Sequence, residues 1–527
     1  MNERSVSSSI DEVVSGRRLD GWLANEARFE VDRNRLVDAC TAVSEIPGAR
    51  LATMVGLDDR KVSGSFRLVY TFALPDARWA TIETPIPGVD PAFPSISITV
   101  PAAHWYEREV QDMFGLMAEG HPDPRRLVHH ENWPDGLYPL RKDFDPSIPV
   151  PRVERNPPAF HNRHGEGIVE IPVGPIHAGV IEPGHFRFAA VGEKILHLEP
   201  RLFYTHRGIE KLVEGKSADH VLQVAERTCG ACSFSHAVSY SQTIESIAGV
   251  EIPERGSALR TLFLELERLY NHIGDLGNIC AGVSFSVGAS IGARIKDDLQ
   301  RLNERLTGNR FLRATATLGG MRRDLDTLAL RDIESSLTRI AVEFDDFISV
   351  MLGSDTLIER LVRTGIVSTE IARAMGAVGV TARASGVNID SRRDHPHAYY
   401  PDAPQPIAVP TRKTGDAHAR ALIRLDEVLV SFAMIQGILE NIPGGPVSIK
   451  LGSLPPNRVG FAVTESPRGE NLHWVKTDGD GLIDRLRIRS ASYPNWPVVA
   501  ASVPGNMVPD FPVINKSFEL CYACLDR

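Results

Sequence analysis

The sequence predicts an α+β protein, in which a small N-terminal α+β domain precedes a large, mainly helical domain with small peripheral β-sheets. Three observations support this fold class. Strand-forming segments dominate the first 143 residues, long stretches with apolar residues at three- and four-residue spacing fill the middle, and strand patterns return near the C-terminus. With 527 residues, 43% of them hydrophobic, the chain is long enough for two domains with substantial cores.

The first domain is expected to span residues 1–143. Strands are predicted at 65–72 and 79–84, which are rich in strand formers, and a helix is predicted at 33–43. The stretch 103–115 combines charged and aromatic side chains and predicts a charged helix that ends at Gly115. Such a stretch is either an ordinary charged helix or part of a functional motif.

A proline-rich segment separates the two predicted domains. Residues 144–165 contain prolines at five positions, namely Pro146, Pro149, Pro151, Pro157 and Pro158. Because proline fixes φ and has no backbone N–H to donate, this segment is predicted to be an extended linker. The second domain is therefore expected to span residues 166–527.

The second domain is predicted to begin with a short sheet and to continue as a helical bundle. Strand patterns occur at 168–172 and 186–198, with Gly192-Glu193 as a hairpin turn. Helices are predicted from apolar periodicity at 217–248, 255–280, 297–306, 324–362 and 416–439. Strands are predicted again at 459–464, 472–477 and 482–489, followed by a coil rich in Pro and Asn.

Composition limits the class of protein. The net charge of −9 and the lack of a long basic run argue against nucleic acid or an anionic membrane surface as the main partner. No apolar stretch approaches the roughly 20 residues that cross a bilayer, and the first residues lack a compact apolar signal core. We therefore expect a cytoplasmic protein. Its six cysteines do not resemble a secreted disulfide scaffold.

Four of the six cysteines form two Cys-x-x-Cys pairs, Cys229 with Cys232 and Cys521 with Cys524. The first pair falls within the predicted helix 217–248, so Cys229, Cys232 and His236 are expected on one helix face. Alone, such a pair is compatible with half a zinc site, a redox dithiol or chance. The second pair lies about 290 residues away, too far for a local zinc ribbon. Together the pairs predict that a large fold closes on one soft-metal site.

The charged stretch of the first domain resembles a known family. The residues that carry the resemblance are Trp105, Glu107-Arg108-Glu109, Asp112, Phe114-Gly115, Gly120-His121-Pro122-Asp123 and Pro139-Leu140-Arg141-Lys142-Asp143. They are similar to the 30-kilodalton subunit family of respiratory complex I. This resemblance implies a docking and scaffolding domain without a cofactor of its own, which binds partner subunits rather than substrate.

Around the cysteines the chain resembles the large subunit of nickel-iron hydrogenases. Its two motifs are matched by Arg227, Cys229, Gly230, Cys232 and His236, and by Cys521, Cys524 and Arg527. The resemblance implies that Cys229 and Cys521 are terminal nickel ligands, while Cys232 and Cys524 bridge nickel to an iron that carries cyanide and carbon monoxide. Magnesium is a further candidate cofactor. The chain departs from the family at Glu519-Leu520, where the family has Asp-Pro.

Three further segments supply candidate site residues. Pro467-Arg468-Gly469 resembles the segment whose arginine lies over the hydrogenase active site, although such a triplet is also typical of a surface turn. Glu182 lies in a segment, 174–187, similar to the motif whose glutamate relays protons; the alternative is a solvated loop acid. Asp390 and Arg392 belong to a stretch similar to the 49-kilodalton subunit of complex I and related hydrogenases. They are expected either to position the motif arginines or to form a structural ion-pair network.

The domain order is similar to that of group 4, energy-converting hydrogenases of the formate hydrogenlyase and hydrogenase-4 type. This resemblance implies a catalytic large subunit that interconverts protons and electrons with dihydrogen, with Glu182, Arg468 and Cys521 as catalytic residues and Pro467 and His236 beside the centre. No iron-sulfur cluster is expected in this chain. Expected partners are a complex I 20-kilodalton-like iron-sulfur subunit, a ferredoxin-like subunit, membrane antiporter-like subunits and maturation proteins. These partners would hold it on the inner face of the cytoplasmic membrane, with formate as a candidate electron source.

Two other functions remain open. One is a metal-free, fused 30/49-kilodalton-like subunit of a complex I-like NADH:quinone oxidoreductase, and the other is a zinc-bound scaffold. The four paired cysteines favour the hydrogenase, because a chain that keeps both pairs and Pro467-Arg468-Gly469 has no evident reason to do so without a metal centre.

Overall fold

The computed structural model of the chain describes residues 10–155, 165, 167–177 and 181–527. It confirms the predicted fold class, with a mixed α/β N-terminal region followed by a mainly helical region that carries small sheets. Within the described residues, no helix is long and apolar enough to cross a membrane.

The N-terminal region is built on a five-stranded sheet. Its strands are β1 (Arg17–Leu19), β2 (Glu26–Glu30), β3 (Arg50–Asp58), β4 (Ser65–Ala73) and β5 (Trp79–Pro87). They lie in the order β1-β2-β5-β4-β3, with β2 and β5 parallel and the other neighbours antiparallel. The strands predicted at 65–72 and 79–84 are therefore confirmed.

The helices of this region pack on the sheet. They are α1 (Leu36–Ser44), α2 (Arg60–Ser63) and α3 (His104–Phe114), and a small parallel pair joins β6 (Ala92–Pro94) to β7 (Met117–Glu119). Helix α3 ends at Gly115, whose φ of 69° closes the helix as predicted. Although α3 carries several charges, nine of its eleven residues are buried. This burial excludes an ordinary charged surface helix.

Three further sheets lie in the second region. They are formed by β8 (Ile168–Val173), β9 (His185–Val191) and β10 (Lys194–Arg201), by β11 (Ala316–Thr317) and β12 (Gly320–Met321), and by β13 (Val459–Ser466), β14 (Gly469–Thr477) and β15 (Ile483–Arg489). All are antiparallel. The predicted hairpin turn at Gly192-Glu193 is confirmed between β9 and β10.

The helices of the second region surround one long central helix, α7, which packs against α8, α14 and α16. In chain order they are α4 (Ile209–Leu212), α5 (Ala218–Ala225), α6 (Ser233–Ala248), α7 (Glu254–Gly282), α8 (Ser286–Thr307), α9 (Thr327–Leu352), α10 (Asp355–Leu361), α11 (Thr369–Ala374), α12 (Gly379–Ala384), α13 (Ser391–Asp394), α14 (Ala417–Glu440), α15 (Ser492–Ser502), α16 (Phe511–Phe518) and α17 (Tyr522–Asp526).

Four of the predicted elements differ from the structure. The helix predicted at 217–248 is two helices, α5 and α6. The one predicted at 324–362 is also two, because Gly353 ends α9 and the Ser354 side chain caps α10. The helix predicted at 297–306 is the second half of α8. The coil expected after β15 contains α15 and α16, so its prolines did not prevent helix formation.

Apolar contacts join the N-terminal region to the second region. Tyr106 on α3 packs against Tyr493 with ring centroids 4.7 Å apart, and Trp79 packs against Phe461 at 5.1 Å. Residues 144–155 contain no helix or strand, while most of the rest of the predicted linker lies outside the described residues. The domain boundaries at 143 and 166 therefore stay predictions.

Replacement of Gly379 by Ala should destabilise the protein. Gly379 has a φ of 64°, and a β-carbon there would lie 2.5 Å from the carbonyl oxygen of Arg468. Strain and overlap together should lower the free energy of unfolding by at least about 2 kcal/mol. Denaturant unfolding of the variant measures this, with Gly479→Ala as the control because nothing lies within 4 Å of its β-carbon position. Equal stability of the two variants would contradict the argument.

Candidate metal centre

The first cysteine pair lies in the loop between α5 and α6, not on a helix face as predicted. Cys232 is the residue that precedes α6. Side chains bind the backbone carbonyls where the helical hydrogen bonds stop: Ser233 Oγ donates to the carbonyl of Glu226 (2.5 Å), and Arg207 donates to that of Thr228 (2.8 Å). Both thiols therefore lie in a loop and not on the surface of a helix.

The second pair lies at the start of the last helix, α17. Cys521 precedes the helix and Cys524 lies within it. Glu519, at the end of α16, has a φ of 53°, which turns the chain sharply between the two helices. Glu519-Leu520, where the chain departs from the hydrogenase motif, thus forms a left-handed helix end, and Leu520 is buried beside it.

The two pairs converge, as the sequence predicted. The sulfurs of Cys229, Cys232 and Cys521 lie within 4.8 Å of one another, and the same holds for the ligand atoms of Cys229, Cys524 and His236. Cys229, Cys232 and Cys524 are buried, while Cys521 is partly exposed. All four sulfurs therefore belong to one cluster.

The thiols affect one another's ionisation. Hydrogen bonds from the other three thiols lower the pKa of Cys521 well below its usual value. The hydrogen bonds that Cys229 makes with Cys232, Cys521 and Cys524 raise the pKa of Cys229. Burial is the main cause that raises the pKa of Cys524. Four converging sulfurs are soft donors that prefer a transition metal, and a cation bound among them would favour their thiolate forms.

His236 contributes two unused nitrogens to this cluster. Its ring is fully buried, and neither nitrogen has a hydrogen-bond partner among the described residues. Burial lowers its pKa to about 4, so the ring is neutral near pH 7. An unpaired buried imidazole beside two sulfurs is an observation that fits a missing polar or metal group.

Ser492 and Arg207 support the cysteine segments. The Ser492 hydroxyl accepts a hydrogen bond from the backbone N–H of Cys521 (3.1 Å) and one from the Cys524 thiol (3.4 Å). One Arg207 nitrogen, Nη2, donates to the carbonyls of Thr228 (2.8 Å) and Ala523 (2.6 Å), so a single guanidinium bridges the two segments.

Glu182 is bound to the second cysteine segment. Its Oε2 accepts hydrogen bonds from the backbone N–H groups of Tyr522 (2.8 Å) and Ala523 (3.0 Å). Burial, and then the negative charge of Cys521, raise the pKa of Glu182 above its usual value. Glu182 is thus not a solvated loop acid.

Pro467 and Arg468 form the tight turn between β13 and β14. Only 7% of Arg468 is exposed, so the turn is not an ordinary surface turn. Both terminal nitrogens of Arg468 pair with the Asp275 carboxylate, one of them at 2.9 Å, and Arg424 Nε donates to Asp275 at 3.1 Å. Arg468 Nε has no partner among the described residues.

A cavity of about 750 Å³ joins these groups. We call it the cysteine cavity; its lining includes Cys229, Cys521, Glu182, Asp275, Arg468 and Glu519. The Glu519 carboxyl accepts a hydrogen bond from Asn278, and burial, with the charge of Asp275, raises its pKa to about 7. The cavity thus places two carboxyl groups with raised pKa values and one guanidinium beside the thiols.

Asp390 and Arg392 lie in a buried ion-pair network apart from the lining of the cysteine cavity. Arg392 pairs with Asp390 (2.7 Å) and with Glu265 (3.1 Å), which in turn pairs with Arg268 (3.2 Å). Arg268 donates to the carbonyls that precede the Pro467-Arg468 turn. The network therefore reaches Arg468 through the backbone of its turn. It also approaches Asp275, the partner of Arg468, through Glu427 and His272, which lie 2.8 Å apart.

The sequence reasoning missed three residues of this site, Asp275, Arg207 and Ser492. A signal existed for Asp275: it follows Asn271 by four residues and His272 by three, so these polar side chains share one side of helix α7. Arg207 and Ser492 act through backbone groups of segments remote in sequence, so no local pattern marked them.

Replacement of Asp275 by Asn should lower the free energy of unfolding by about 3 kcal/mol, because it leaves the buried Arg468 and Arg424 without a full counter-charge. Denaturant unfolding measures the change. Asp345→Asn, on the exposed side of α9, is the matched control and should stay within about 0.5 kcal/mol of the parent. If both variants unfold like the parent, Asp275 does not balance these charges.

Three family models match the chain. The model described as "Respiratory-chain NADH dehydrogenase, 30 Kd subunit" matches residues 29–149, and "Nickel-dependent hydrogenase" matches 207–276. "Respiratory-chain NADH dehydrogenase, 49 Kd subunit" matches residues 287–458 and 449–527. The two cysteine pairs thus fall in regions matched by different models.

Named proteins are similar over most of the chain. Formate hydrogenlyase subunit 5 of Escherichia coli (strain K12) is 36% identical, over 99% of this chain and 92% of that protein. Hydrogenase-4 component G of the same organism is 34% identical, over 90% of this chain and 84% of that protein.

A solved structure is also similar. A chain of the membrane-bound sulfane sulfur reductase, an archaeal respiratory membrane complex, is 26% identical with a TM-score of 0.65. The match covers 68% of this chain and 99% of that one.

Proposed function

Because this chain belongs to the hydrogenase large subunits of the formate hydrogenlyase and hydrogenase-4 type, we propose that it is the catalytic subunit of a membrane-associated nickel-iron hydrogenase. The observation that carries the proposal is the convergence of four thiols from two remote segments. A nickel-iron centre bound there would exchange two electrons with dihydrogen.

The residues of the site fit such a centre. Cys229, Cys232, Cys521 and Cys524 would hold the nickel and the iron through their sulfurs. His236 has unused nitrogens at Cys229 and Cys524, so it can donate a hydrogen bond to a ligand sulfur. Among the described residues, one group of possible metal ligands consists of Cys229, Cys524 and His236, and the other of Cys229, Cys232 and Cys521. Magnesium stays a candidate cofactor without an assigned site.

Arg468 would hold anionic ligands of the iron. It lines the cysteine cavity, its guanidinium stays charged, and its Nε is free of partners among the described residues. Asp275 fixes the direction of this guanidinium through two hydrogen bonds. Pro467 restricts the turn that carries it.

Glu182 would transfer protons between Cys521 and the protein surface. It lies against the cysteine segment through two backbone hydrogen bonds and lines the same cavity as Cys521. A carboxyl group held by N–H donors at a fixed place is well suited to repeated proton transfer.

Electrons would pass through partner subunits. Outside the paired cysteines, the chain has only Cys40 and Cys280, too few for an iron-sulfur cluster. We therefore propose an iron-sulfur small subunit as the direct electron partner, together with ferredoxin-like and membrane antiporter-like subunits that hold the chain at the inner face of the cytoplasmic membrane. Formate is the proposed source of electrons, in line with the name of one relative.

The alternative is a metal-free subunit of a complex I-like quinone oxidoreductase. The two complex I family models match most of the chain and favour this alternative at the level of the fold. The four converging thiols favour the hydrogenase, because four soft donors brought together from two remote segments suit a transition metal.

Replacement of Cys524 by Ser should remove nickel and hydrogen production together. Loss of a direct ligand should weaken metal binding by more than about 100-fold. Elemental analysis and hydrogen evolution with reduced viologen in the purified complex measure both. Cys40→Ala, a buried thiol of the N-terminal region, is the control and should retain metal and activity. A Cys524→Ser variant that keeps nickel would sink the proposed ligand set.

Replacement of Glu182 by Gln should separate proton transfer from metal binding. The amide keeps an oxygen that accepts the N–H groups of Tyr522 and Ala523, but it cannot carry a proton. Hydrogen evolution should fall by at least about 100-fold while the nickel and iron content stays unchanged. Unchanged hydrogen evolution would refute the relay role of Glu182.

A further inference from the structure

A buried ionic cluster joins the N-terminal region to the last residue of the chain. Helix α3 belongs to the N-terminal region, and its Glu109 carboxylate is 5% exposed. Glu109 Oε1 accepts a hydrogen bond from Arg527 Nη2 at 2.9 Å, across 418 residues of sequence. A direct contact thus links a predicted docking domain to the segment that carries Cys521 and Cys524.

Arg527 is held on several sides. Its guanidinium, which is 3% exposed, donates to Glu109, to Glu210 Oε1 (3.0 Å) and to the carbonyl of Ile488 (2.7 Å). It also lies over the ring of Tyr493, 5.2 Å from the centroid. These partners come from α3, α4, β15 and α15, so Arg527 has one well-defined position.

Carboxylates and guanidinium groups pair with one another in this cluster. Glu109 and Glu210 face three guanidinium groups, those of Arg485, Arg487 and Arg527. Burial alone would raise the pKa of Glu109, but Arg487 and Arg527 hold it well below its usual range. Removal of one member leaves the others buried without their counter-charges, which is costly.

The same segment is fixed at the residue before Arg527. The Asp526 carboxylate accepts hydrogen bonds from the N–H groups of Phe203 and Thr205, both at 2.9 Å. Arg207 N donates to the Arg527 carbonyl at 2.7 Å, while its side chain contacts the carbonyl of Ala523. Hydrogen bonds to Glu182 thus hold the start of α17, and the contacts of Asp526 and Arg527 hold its end.

We propose that the N-terminal region is a structural part of the metal centre, because Glu109 holds Arg527 and thereby keeps Cys521 and Cys524 in place for the metal. Glu109 is a positioning residue, since it acts through Arg527 and α17 and does not line the cysteine cavity. This role is additional to the docking of partner subunits. The inference rests on the proposed function only for the presence of the metal. The contact between Glu109 and Arg527, the residue that follows α17, does not depend on that function.

Replacement of Glu109 by Gln tests the proposal. Hydrogen-deuterium exchange of the full-length, metal-free chain should show at least about tenfold faster exchange at residues 521–527. Nickel content of the variant purified from its host complex should also fall. Glu107→Gln is the matched control: it makes the same change on the same helix, but Glu107 accepts hydrogen bonds only within the N-terminal region, from Ser95, Ile96 and Ser97.

Parent-like exchange at 521–527 in Glu109→Gln overturns the proposal, as does an equal rise in Glu107→Gln. Faster exchange at 521–527 with unchanged protection of β3 and β4 supports it and excludes global unfolding. If β3 and β4 also lose protection, Arg527→Gln decides, because it changes no residue of the N-terminal region. It should speed exchange at residues 521–527, and parent-like exchange there would refute the proposal. If exchange at 521–527 is faster in Glu109→Gln but neither the parent nor the variants bind nickel, the contact between Glu109 and Arg527 is upheld and the metal centre is refuted.

Discussion

The site depends on how the chain holds four thiols together when two of them lie about 290 residues from the other two. The first pair is placed by a loop whose carbonyls are taken by Ser233 and Arg207. The second is placed by α17. The start of this helix donates a backbone hydrogen bond to Glu182, and Arg527, which follows its end, donates to Glu210. Backbone hydrogen bonds and one buried ionic cluster therefore hold in place the two segments that carry the sulfur cluster.

Buried ion pairs dominate the surroundings of this cluster. Arg468 with Asp275, Arg392 with Asp390, and Arg527 with Glu109 are all almost fully buried. Burial of such pairs contributes little net stability, because desolvation offsets most of their attraction. They do fix direction and position, since each guanidinium binds planar carboxylates through two or more hydrogen bonds. Position, rather than stability, is what a multi-ligand metal site needs.

Much of the fold and of the site could be predicted from the sequence. The fold class, strands β4, β5 and β13–β15, the hairpin at Gly192-Glu193 and the convergence of the cysteine pairs were all predicted. The break between α5 and α6 was not, because the apolar periodicity continues on both sides and Gly230 is the only breaker in the loop. The pairings of Asp275 with Arg468 and of Glu109 with Arg527 were not predicted, because the partners are remote in sequence. Local patterns report secondary structure, whereas these pairs arise only when the whole chain closes.

The elemental composition of the protein purified from its own host tests the central claim most directly. Four converging thiolates with Arg468 over the cavity predict nickel and iron at about one atom each per chain. Zinc in their place, or a chain without metal from cells that assemble the whole complex, would contradict the hydrogenase assignment and favour a complex I-like subunit or a zinc-bound scaffold.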